Sequence, residues 1–224
     1  DSLRGFAPNP TGDAFAEFVI SFVQGAIQYD WETFHNIDQS QIRYPYQTLF
    51  AGRGVCADKS ILLARLLQEL GYDIAFFTFD RANHMALGIA VPNGFGNYGS
   101  NYAYVESTGY APVGRVPETF AGGIRLDSRP QLVEVNGKKG KTFEKIMVNR
   151  DAENALMKKY GKEYLFLDAD QRKIRKEMAE LEIVIEDLRK QTRHCKGTLQ
   201  RDKYEECQAL IAKLNGNVEK YNAL

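Results

Sequence analysis

The chain has 224 residues, of which 44% are hydrophobic and 12% aromatic, enough for one well-buried domain and an accessory element. Its 29 basic and 29 acidic residues cancel, so no net charge attracts it to nucleic acid or to an anionic membrane surface. No apolar run approaches the ~20 residues that a membrane-spanning helix needs. The composition therefore argues against a nucleic-acid-binding or membrane-spanning protein.

The first half of the chain has the pattern of two core helices. Residues 13–29 place hydrophobic side chains on one helical stripe, after an Asp13 suited to capping. Residues 30–53 lose this periodicity and are predicted to form an ordered loop. The clearest helix follows, with a broad leucine-rich face, and ends at Gly71.

Three short segments then have the composition of β-strands. IAFFTF (74–79), HMALGIAV (84–91) and YAYVE (102–106) are separated by turn and loop residues and predict an antiparallel set. Two further segments, QLVEV and TFEKIMV, flank an Asn-Gly pair at 136–137 and predict another hairpin. Helices packed on this sheet are predicted to form a core domain that covers residues 1–150.

Residues 151–224 form the second predicted domain, which becomes charged and helical from about residue 168 onwards. Apolar residues step by four and three from Ile174 to Cys195, and the same heptad spacing returns from Cys207 onwards. The two helical segments are predicted to fold back on each other as an α-helical hairpin.

The three cysteines divide into a pair and a single thiol. Cys195 and Cys207 are equidistant from the predicted turn, so an antiparallel hairpin brings them opposite one another, where a disulfide adds ~3 kcal/mol. Two buried thiols in a coiled coil are the alternative. Because disulfides persist outside the cytosol, we expect an extracytoplasmic protein, secreted or tethered by an anchor outside this sequence. Cys56 is left as the reactive thiol.

Cys56 lies in GRGVCADKS, at the start of the second predicted helix. Unpaired backbone N–H groups and the positive end of the helix dipole favour the thiolate there, and the thiolate is the form that attacks a carbonyl carbon. Gly52 and Gly54 are expected to let a substrate backbone come close. A cysteine at a helix start is otherwise a small buried hydrophobe, so a nucleophilic role requires a base nearby.

His84 is the histidine best placed to be that base, because it opens a strand of the predicted sheet. The other two histidines lie in a polar loop and in the heptad segment. The expected register pairs His84 directly with Glu106, on the same face of the sheet. Glu106 then accepts from one imidazole nitrogen while the other takes the proton of Cys56. A surface carboxylate at a strand end is the alternative for Glu106.

The blocks GVCADKSILLARLLQELGY, NHMALGIAV and YAYVEST resemble those of the transglutaminase-like superfamily, with a Cys at a helix start, a His that opens a strand and an acid on the next strand. The resemblance covers roughly residues 15–110, and AIQYDWET and YPYQTLFAGRG are similar to segments of microbial members. It implies an α+β, papain-like core in which the cysteine helix packs on an antiparallel sheet. Two features depart from the family: its third residue is usually Asp, where this chain has Glu106, and an inserted-looking loop precedes that residue.

The resemblance implies a catalytic domain at 1–150 that works through an acyl-enzyme, with Cys56 as nucleophile, His84 as base and acid, and Glu106 orienting His84. We favour hydrolysis of amide or peptide bonds. A protein-glutamine transferase, in which an amine replaces water, is a close alternative, and a non-catalytic binding module that uses the helical hairpin is another. The expected partners are a peptide or protein substrate, and a protein partner or second copy at the hairpin.

No cofactor or metal is expected. The glycines of 94–99 match the spacing of a dinucleotide fingerprint, but they follow a proline and precede a strand. Cys56 and His84 lack the further ligands that a structural zinc site needs. The Cys56 amide is the natural first donor of an oxyanion hole. Tyr46 and Gln47 lie in the right region for a second donor, although loop residues of this kind are usually structural.

Overall fold

The computed structural model describes residues 2–35, 42–118, 125–135, 140–167, 169–192 and 201–222. The chain divides into two compact units, Asp1–Phe166 and Leu167–Leu224. The described helices of the first unit are α1 (Gly12–Ala26), α2 (Trp31–His35), α3 (Pro45–Ala51), α4 (Cys56–Glu69) and α5 (Ile146–Tyr160), with 3₁₀ helices at Ser2–Phe6, Asp80–Ala82 and Lys162–Phe166. Its described strands are β1 (Gln28–Tyr29), β2 (Arg53–Gly54), β3 (Ile74–Phe79), β4 (His84–Ala90), β5 (Tyr102–Val105) and β6 (Gln131–Glu134).

A four-stranded antiparallel sheet, in the order β5-β4-β3-β6, lies at the centre of the first unit. Together with the helices it gives the expected α+β class, and β3, β4 and β5 match the three predicted strands. The prediction of a second hairpin is wrong, because its second segment, TFEKIMV, leads into helix α5 instead of forming a strand. Phe143 and Ile146, three residues apart, are both buried in the core, a spacing that suits a turn and a helix start.

The two faces of the sheet carry different hydrophobic clusters. Alternate residues such as Leu87 and Ile89 of β4 pack in one cluster with buried side chains of α1 and α4. The alternate positions of the same strand, Ala86 and Ala90, face a second cluster that is rich in aromatic rings. This period of two is the geometry of a strand covered on both faces.

Strands β4 and β5 pair two residues out of the expected register, since Gly88 lies opposite Tyr104 rather than Tyr102. The connection between the strands spans 91–101, and Asn97 holds it by accepting from the Tyr104 amide at 2.8 Å and donating to the Gly114 carbonyl at 3.1 Å. A shift of two residues leaves every side chain on its expected face. Glu106 therefore follows the end of β5, two residues before the position that this register places opposite His84.

The region predicted as an ordered loop, 30–53, contains the short helices α2 and α3 and the strand β2. Strand β2 pairs in parallel with β1, and Tyr29 lies opposite Gly54. Asp30 caps α2 by accepting from the Thr33 amide at 3.0 Å. Elements this short bury too few side chains to show a periodicity in the sequence.

Helix α5 belongs to the first unit, whereas the sequence prediction ended the core domain at residue 150, inside this helix. Ile146 is buried in the same cluster as α1 and α4. Two turns further along, Glu153 accepts from Arg115 Nε at 2.8 Å. These contacts attach α5 to the core, although its surface is mostly polar.

The second unit contains α6 (Ala169–Thr192) and α7 (Arg201–Asn222), which pack against each other. The buried side chains of the unit lie on the predicted heptad seam: Leu181, Ile185, Leu188 and Cys207. The turn was predicted around residue 201, which is the first residue of α7, whereas residues 193–200, Cys195 among them, lie outside the described residues. The disulfide therefore stays a prediction. Of the helices that the structure describes, none has the length and apolar character needed to cross a membrane.

Candidate active site

Cys56 is the first residue of α4 and lines an open cleft of about 750 Å³. The residue is 9% exposed, and its sulfur lies 3.9 Å from the carbonyl oxygen of Asn83, just before β4. Other walls of the cleft come from α2 and from the ends of β3 and β4. The predicted nucleophile is thus nearly covered by protein, but it borders space that a substrate can enter.

Asp58 fixes the start of the cysteine helix. Its carboxylate is 1% exposed and accepts from the Val55 amide at 3.2 Å and from the Arg43 amide at 2.8 Å. A carboxylate in the first turn also interacts favourably with the helix dipole. The sequence reading did not assign a role to Asp58, although it lies three residues after the cap position Val55, where the acid of a capping box is found.

Gly54 is required for packing rather than for approach of a substrate, which corrects the expectation from the sequence. The residue is buried, and a Cβ at this position would lie 2.7 Å from the Cβ of Asp58 and 3.0 Å from the Cγ2 of Thr48. Only glycine lets β2 pass this close to the first turn of α4. Gly52 has a φ of 64° and open space around it, so its role is to make the left-handed turn that ends α3.

Replacement of Gly54 by alanine is expected to lower the free energy of unfolding by about 1–3 kcal/mol, because the added methyl group must displace the Asp58 side chain. Gly25→Ala is the matched control: its Cβ meets no atom within 4 Å, so this helical site should lose no stability. Urea denaturation followed by circular dichroism measures both. Equal free energies of unfolding for the two variants would show that the close packing at Gly54 does not contribute to stability.

His84 opens β4 and borders the same cleft, with 10% of its side chain exposed. Its Nε2 lies 3.2 Å from Oε2 of Glu106 and 3.3 Å from the hydroxyl of Tyr104. Cys56 lines the cleft beside the ring, and its sulfur lies 3.9 Å from the carbonyl oxygen of Asn83, the residue before His84. Because Nε2 faces Glu106, Nδ1 is the ring nitrogen that can accept a proton from the sulfur. The structure therefore brings the three residues selected from the sequence into one chain of contacts.

The carboxylate of Glu106 is held by donors on both oxygens. Oε1 accepts from the amides of Ser107 at 3.0 Å and Thr108 at 2.8 Å, and from the Thr108 hydroxyl at 2.6 Å. Oε2 accepts from the Tyr104 hydroxyl at 2.5 Å, and the residue is 1% exposed. Sequence reasoning missed Tyr104 and Thr108, whose signal was the run of hydroxyl side chains around the acid in YVEST.

Burial and charge oppose each other in this site. Burial alone raises the pKa of Glu106, but the hydrogen bond and charge of His84, with the bonds from Thr108 and Tyr104, bring that pKa below its usual value. For His84, burial lowers the pKa, but the bonds to Cys56 and Glu106 and their charges raise it to about 9. The imidazolium form of His84 is therefore favoured through neutral pH.

Lys59, one turn into α4, is a buried cation that the sequence reading also missed. Its side chain is fully buried, and Nζ donates to the carbonyl oxygens of Ile27 at 2.5 Å and Gln24 at 3.5 Å, at the end of α1. Burial lowers the pKa of Lys59 to about 8, although the charge of Glu106 acts in the opposite direction. Gln24 in turn donates to the backbone carbonyl of Glu106 at 2.9 Å.

The two residues considered for the second oxyanion donor do not border the cleft. Tyr46 lies on α3 with 74% of its surface exposed and stacks on Phe50 at 6.2 Å between ring centroids. Gln47 accepts from the Tyr44 amide at 2.9 Å and so caps the start of α3. Both are structural. Among the residues that the structure describes, no group of three or more His, Cys, Asp or Glu side chains is arranged to hold a metal ion.

Comparison with known proteins adds one match. Residues 9–94 match a family model described as a transglutaminase-like domain, and this segment contains α1, the start of α4 with Cys56, and His84. No curated protein matches the chain. The match covers the first two of the three sequence blocks that resemble the transglutaminase-like superfamily, and it supports that resemblance for residues 9–94.

Proposed function

We propose that this chain is a cysteine-dependent hydrolase of amide or peptide bonds, with a papain-like core and an acyl-enzyme intermediate. The observation that carries the proposal is the position of His84, which lines an open cleft together with Cys56 and has its Nε2 3.2 Å from the buried Glu106 carboxylate. A surface histidine or a structural thiol has no need of this arrangement.

The steps follow from these contacts. Cys56 transfers its proton to His84, and the sulfur attacks the carbonyl carbon of the substrate to form a C–S bond. As the C–N bond breaks, the imidazolium gives its proton to the leaving amine. A water molecule then attacks the thioester while neutral His84 accepts its proton, and the products are a carboxylic acid and the free thiol. Glu106 orients the ring and stabilises the imidazolium in both halves.

A peptide or protein is the substrate class that we propose. The cleft is open and its lining is mixed, with the apolar side chains of Phe34 and Ile42 beside the charged Arg43 and Asp80. Such a lining suits an extended chain that alternates polar and apolar groups. We also propose that the protein acts outside the cytosol and that the α6–α7 unit contacts a protein partner or a second copy.

Alkylation by iodoacetamide tests the thiol and its base. At about pH 6 an ordinary thiol, with a pKa near 8.5, is almost entirely protonated and reacts slowly. We expect Cys56 to react at least about tenfold faster than free cysteine at this pH, because His84 holds its proton. His84→Ala should remove the excess. Peptide mass mapping assigns the label to Cys56.

Product analysis with a glutamine-containing peptide then separates the enzymatic alternatives. Release of the carboxylic acid in the presence of a primary amine supports hydrolysis, whereas incorporation of the amine shows a transferase. If Cys56 reacts no faster than free cysteine, and His84→Ala changes nothing, the enzymatic proposal is wrong and the binding module is favoured.

A further inference from the structure

We infer that Ser60 is a positioning residue of the proposed active site: its hydroxyl group joins the three segments that carry the nucleophile, the base and the acid, and holds them at a fixed spacing. The inference rests on the proposed acyl-enzyme chemistry, in which His84 exchanges protons with the sulfur and the substrate while Glu106 orients it. Ser60 is not among the described residues that line the cleft, so it acts through residues that are.

The first link runs from the nucleophile to the base. Ser60 lies four residues after Cys56 on α4, so the two side chains lie on the same face of the helix, one turn apart. This face is turned towards the sheet, because the Ser60 hydroxyl donates to the backbone carbonyl of Met85 at 3.1 Å. Met85 directly follows His84 on β4. One turn of helix thus connects the nucleophile to the strand that carries the base.

The second link leads to the acid. The hydroxyl oxygens of Ser60 and Ser107 lie 3.0 Å apart. The Met85 carbonyl can only accept, so the proton of Ser60 is directed to that carbonyl and Ser107 donates to Ser60. The backbone amide of Ser107 donates to Oε1 of Glu106 at 3.0 Å. Ser107 therefore holds the acid through its backbone and Ser60 through its side chain.

This bridge lies where the described pairing of β4 with β5 ends, at Leu87 and Val105. Continued by two residues, the same register would bring Met85 opposite Ser107, and the Ser60 hydroxyl contacts both of them. Beyond the last paired residues, side-chain hydrogen bonds from α4 thus take over from the backbone ladder. They hold the two chain segments together at the position where the base reaches the acid.

Both hydroxyl groups are fully buried, with Ser60 and Ser107 each 0% exposed. A buried hydroxyl is costly unless it is hydrogen-bonded, and an apolar pair of similar size would fill the same space without that requirement. What the hydroxyls add is a directional constraint on the segments that they join. Such a constraint matters for catalysis, because a misplacement of about 1 Å at a reacting group can lower the rate about 10²-fold.

The test uses the burst of p-nitrophenol that p-nitrophenyl acetate releases from the full chain, which gives the maximal rate of acylation and the half-saturating concentration. We expect Ser60→Ala to lower the maximal rate about 10- to 100-fold and to change the half-saturating concentration less than about twofold. Ser107→Ala, which keeps the bond from Ser60 to Met85, should give a loss of similar size. The double variant should lose no more than the worse single variant, because both changes break the same bridge.

Tyr72→Phe is the matched control. Tyr72 is 3% exposed, its hydroxyl donates to Asp13 at 2.5 Å, and neither residue is among the described residues that line the cleft. This variant also loses one hydrogen-bonded hydroxyl, so thermal unfolding should show a loss of stability similar to that of Ser60→Ala, whereas the acylation rate should not change. If the rates of both variants fall in step with their stabilities, Ser60 supports only the fold and the inference is wrong.

Two other results also overturn the inference. The maximal rate of Ser60→Ala could be unchanged, or the losses of the two single variants could multiply in the double variant, and either result means that the hydroxyls do not act as one bridge. Where Ser60→Ala does not fold, Ser107→Ala decides by the same criteria. If the unmodified protein is never acylated and iodoacetamide alkylates it no faster than free cysteine, the proposed function fails and the inference with it. If it reacts and the serine variants react equally well, only the inference fails.

Discussion

Cys56→Ala is expected to abolish formation of the acyl-enzyme and to reduce kcat/KM by at least about 10⁴-fold, because the variant lacks the only atom that forms the covalent bond to the substrate. Incubation with p-nitrophenyl acetate, followed by measurement of the intact mass, gives the direct result. The unmodified chain should gain one acetyl group and release p-nitrophenol in a burst. The variant should show neither.

Arg65→Ala is the matched control for Cys56→Ala. Arg65 lies on the same helix, its side chain is 62% exposed, and its ion pair is made with Glu69 one turn along, so activity should not change. Thermal unfolding of Cys56→Ala checks that the fold persists. An acetyl group that still appears on the Cys56→Ala chain with a burst of the same size would assign the nucleophile to another residue.

Glu106→Gln should lower kcat/KM by about 10²- to 10⁴-fold and shift the basic limb of its pH profile to lower pH. The His84 pKa of about 9 is above its ordinary value, so the imidazolium persists through neutral pH and is lost as the pH rises through about 9. Glutamine keeps the size of the side chain but lacks the negative charge that helps to hold this proton. The acid required for departure of the amine is then lost at a lower pH.

The profile is measured from about pH 5 to about pH 10, for amide hydrolysis and for alkylation of Cys56, so that the shift is visible even when turnover is very slow. Glu69→Gln, at an exposed carboxylate of α4, is the control and should leave both profiles unchanged. A Glu106→Gln profile with the same basic limb as the unmodified protein would show that the buried carboxylate does not set the protonation of His84.

Much of this arrangement could be predicted because the signals are local. A leucine-rich helix, three β-rich segments and a cysteine at the helix start are each visible within a dozen residues, and the structure has them where expected. The predicted register of β4 and β5 was wrong by two residues, yet the side chains of His84 and Glu106 are still in contact, at 3.2 Å. An error of one residue would have moved the acid to the other face. A glutamate, longer than the usual aspartate, spans the remaining diagonal.

The residues that were missed act through contacts that are distant in the sequence. Lys59 donates to Ile27, which lies 32 residues earlier, and Asp58 accepts from the amide of Arg43, which lies 15 residues earlier. Neither type of contact leaves a periodic pattern. The segment around Ile146 has the composition of a strand, but the core places it at the start of a helix, where tertiary packing overrides intrinsic preference.

The buried lysine also affects how separated charges are tolerated near the sulfur. A carboxylate alone in this interior would leave one uncompensated negative charge, and converting Cys56 to a thiolate would add a second. With the Lys59 ammonium within the electrostatic reach of Glu106, the interior is close to electroneutral before any proton moves. Transfer of a proton from the Cys56 sulfur to the His84 imidazole then creates a thiolate–imidazolium pair rather than an excess of negative charge. Helix α4 therefore supplies both the nucleophile, Cys56, and a counterion, Lys59, that stabilises the thiolate.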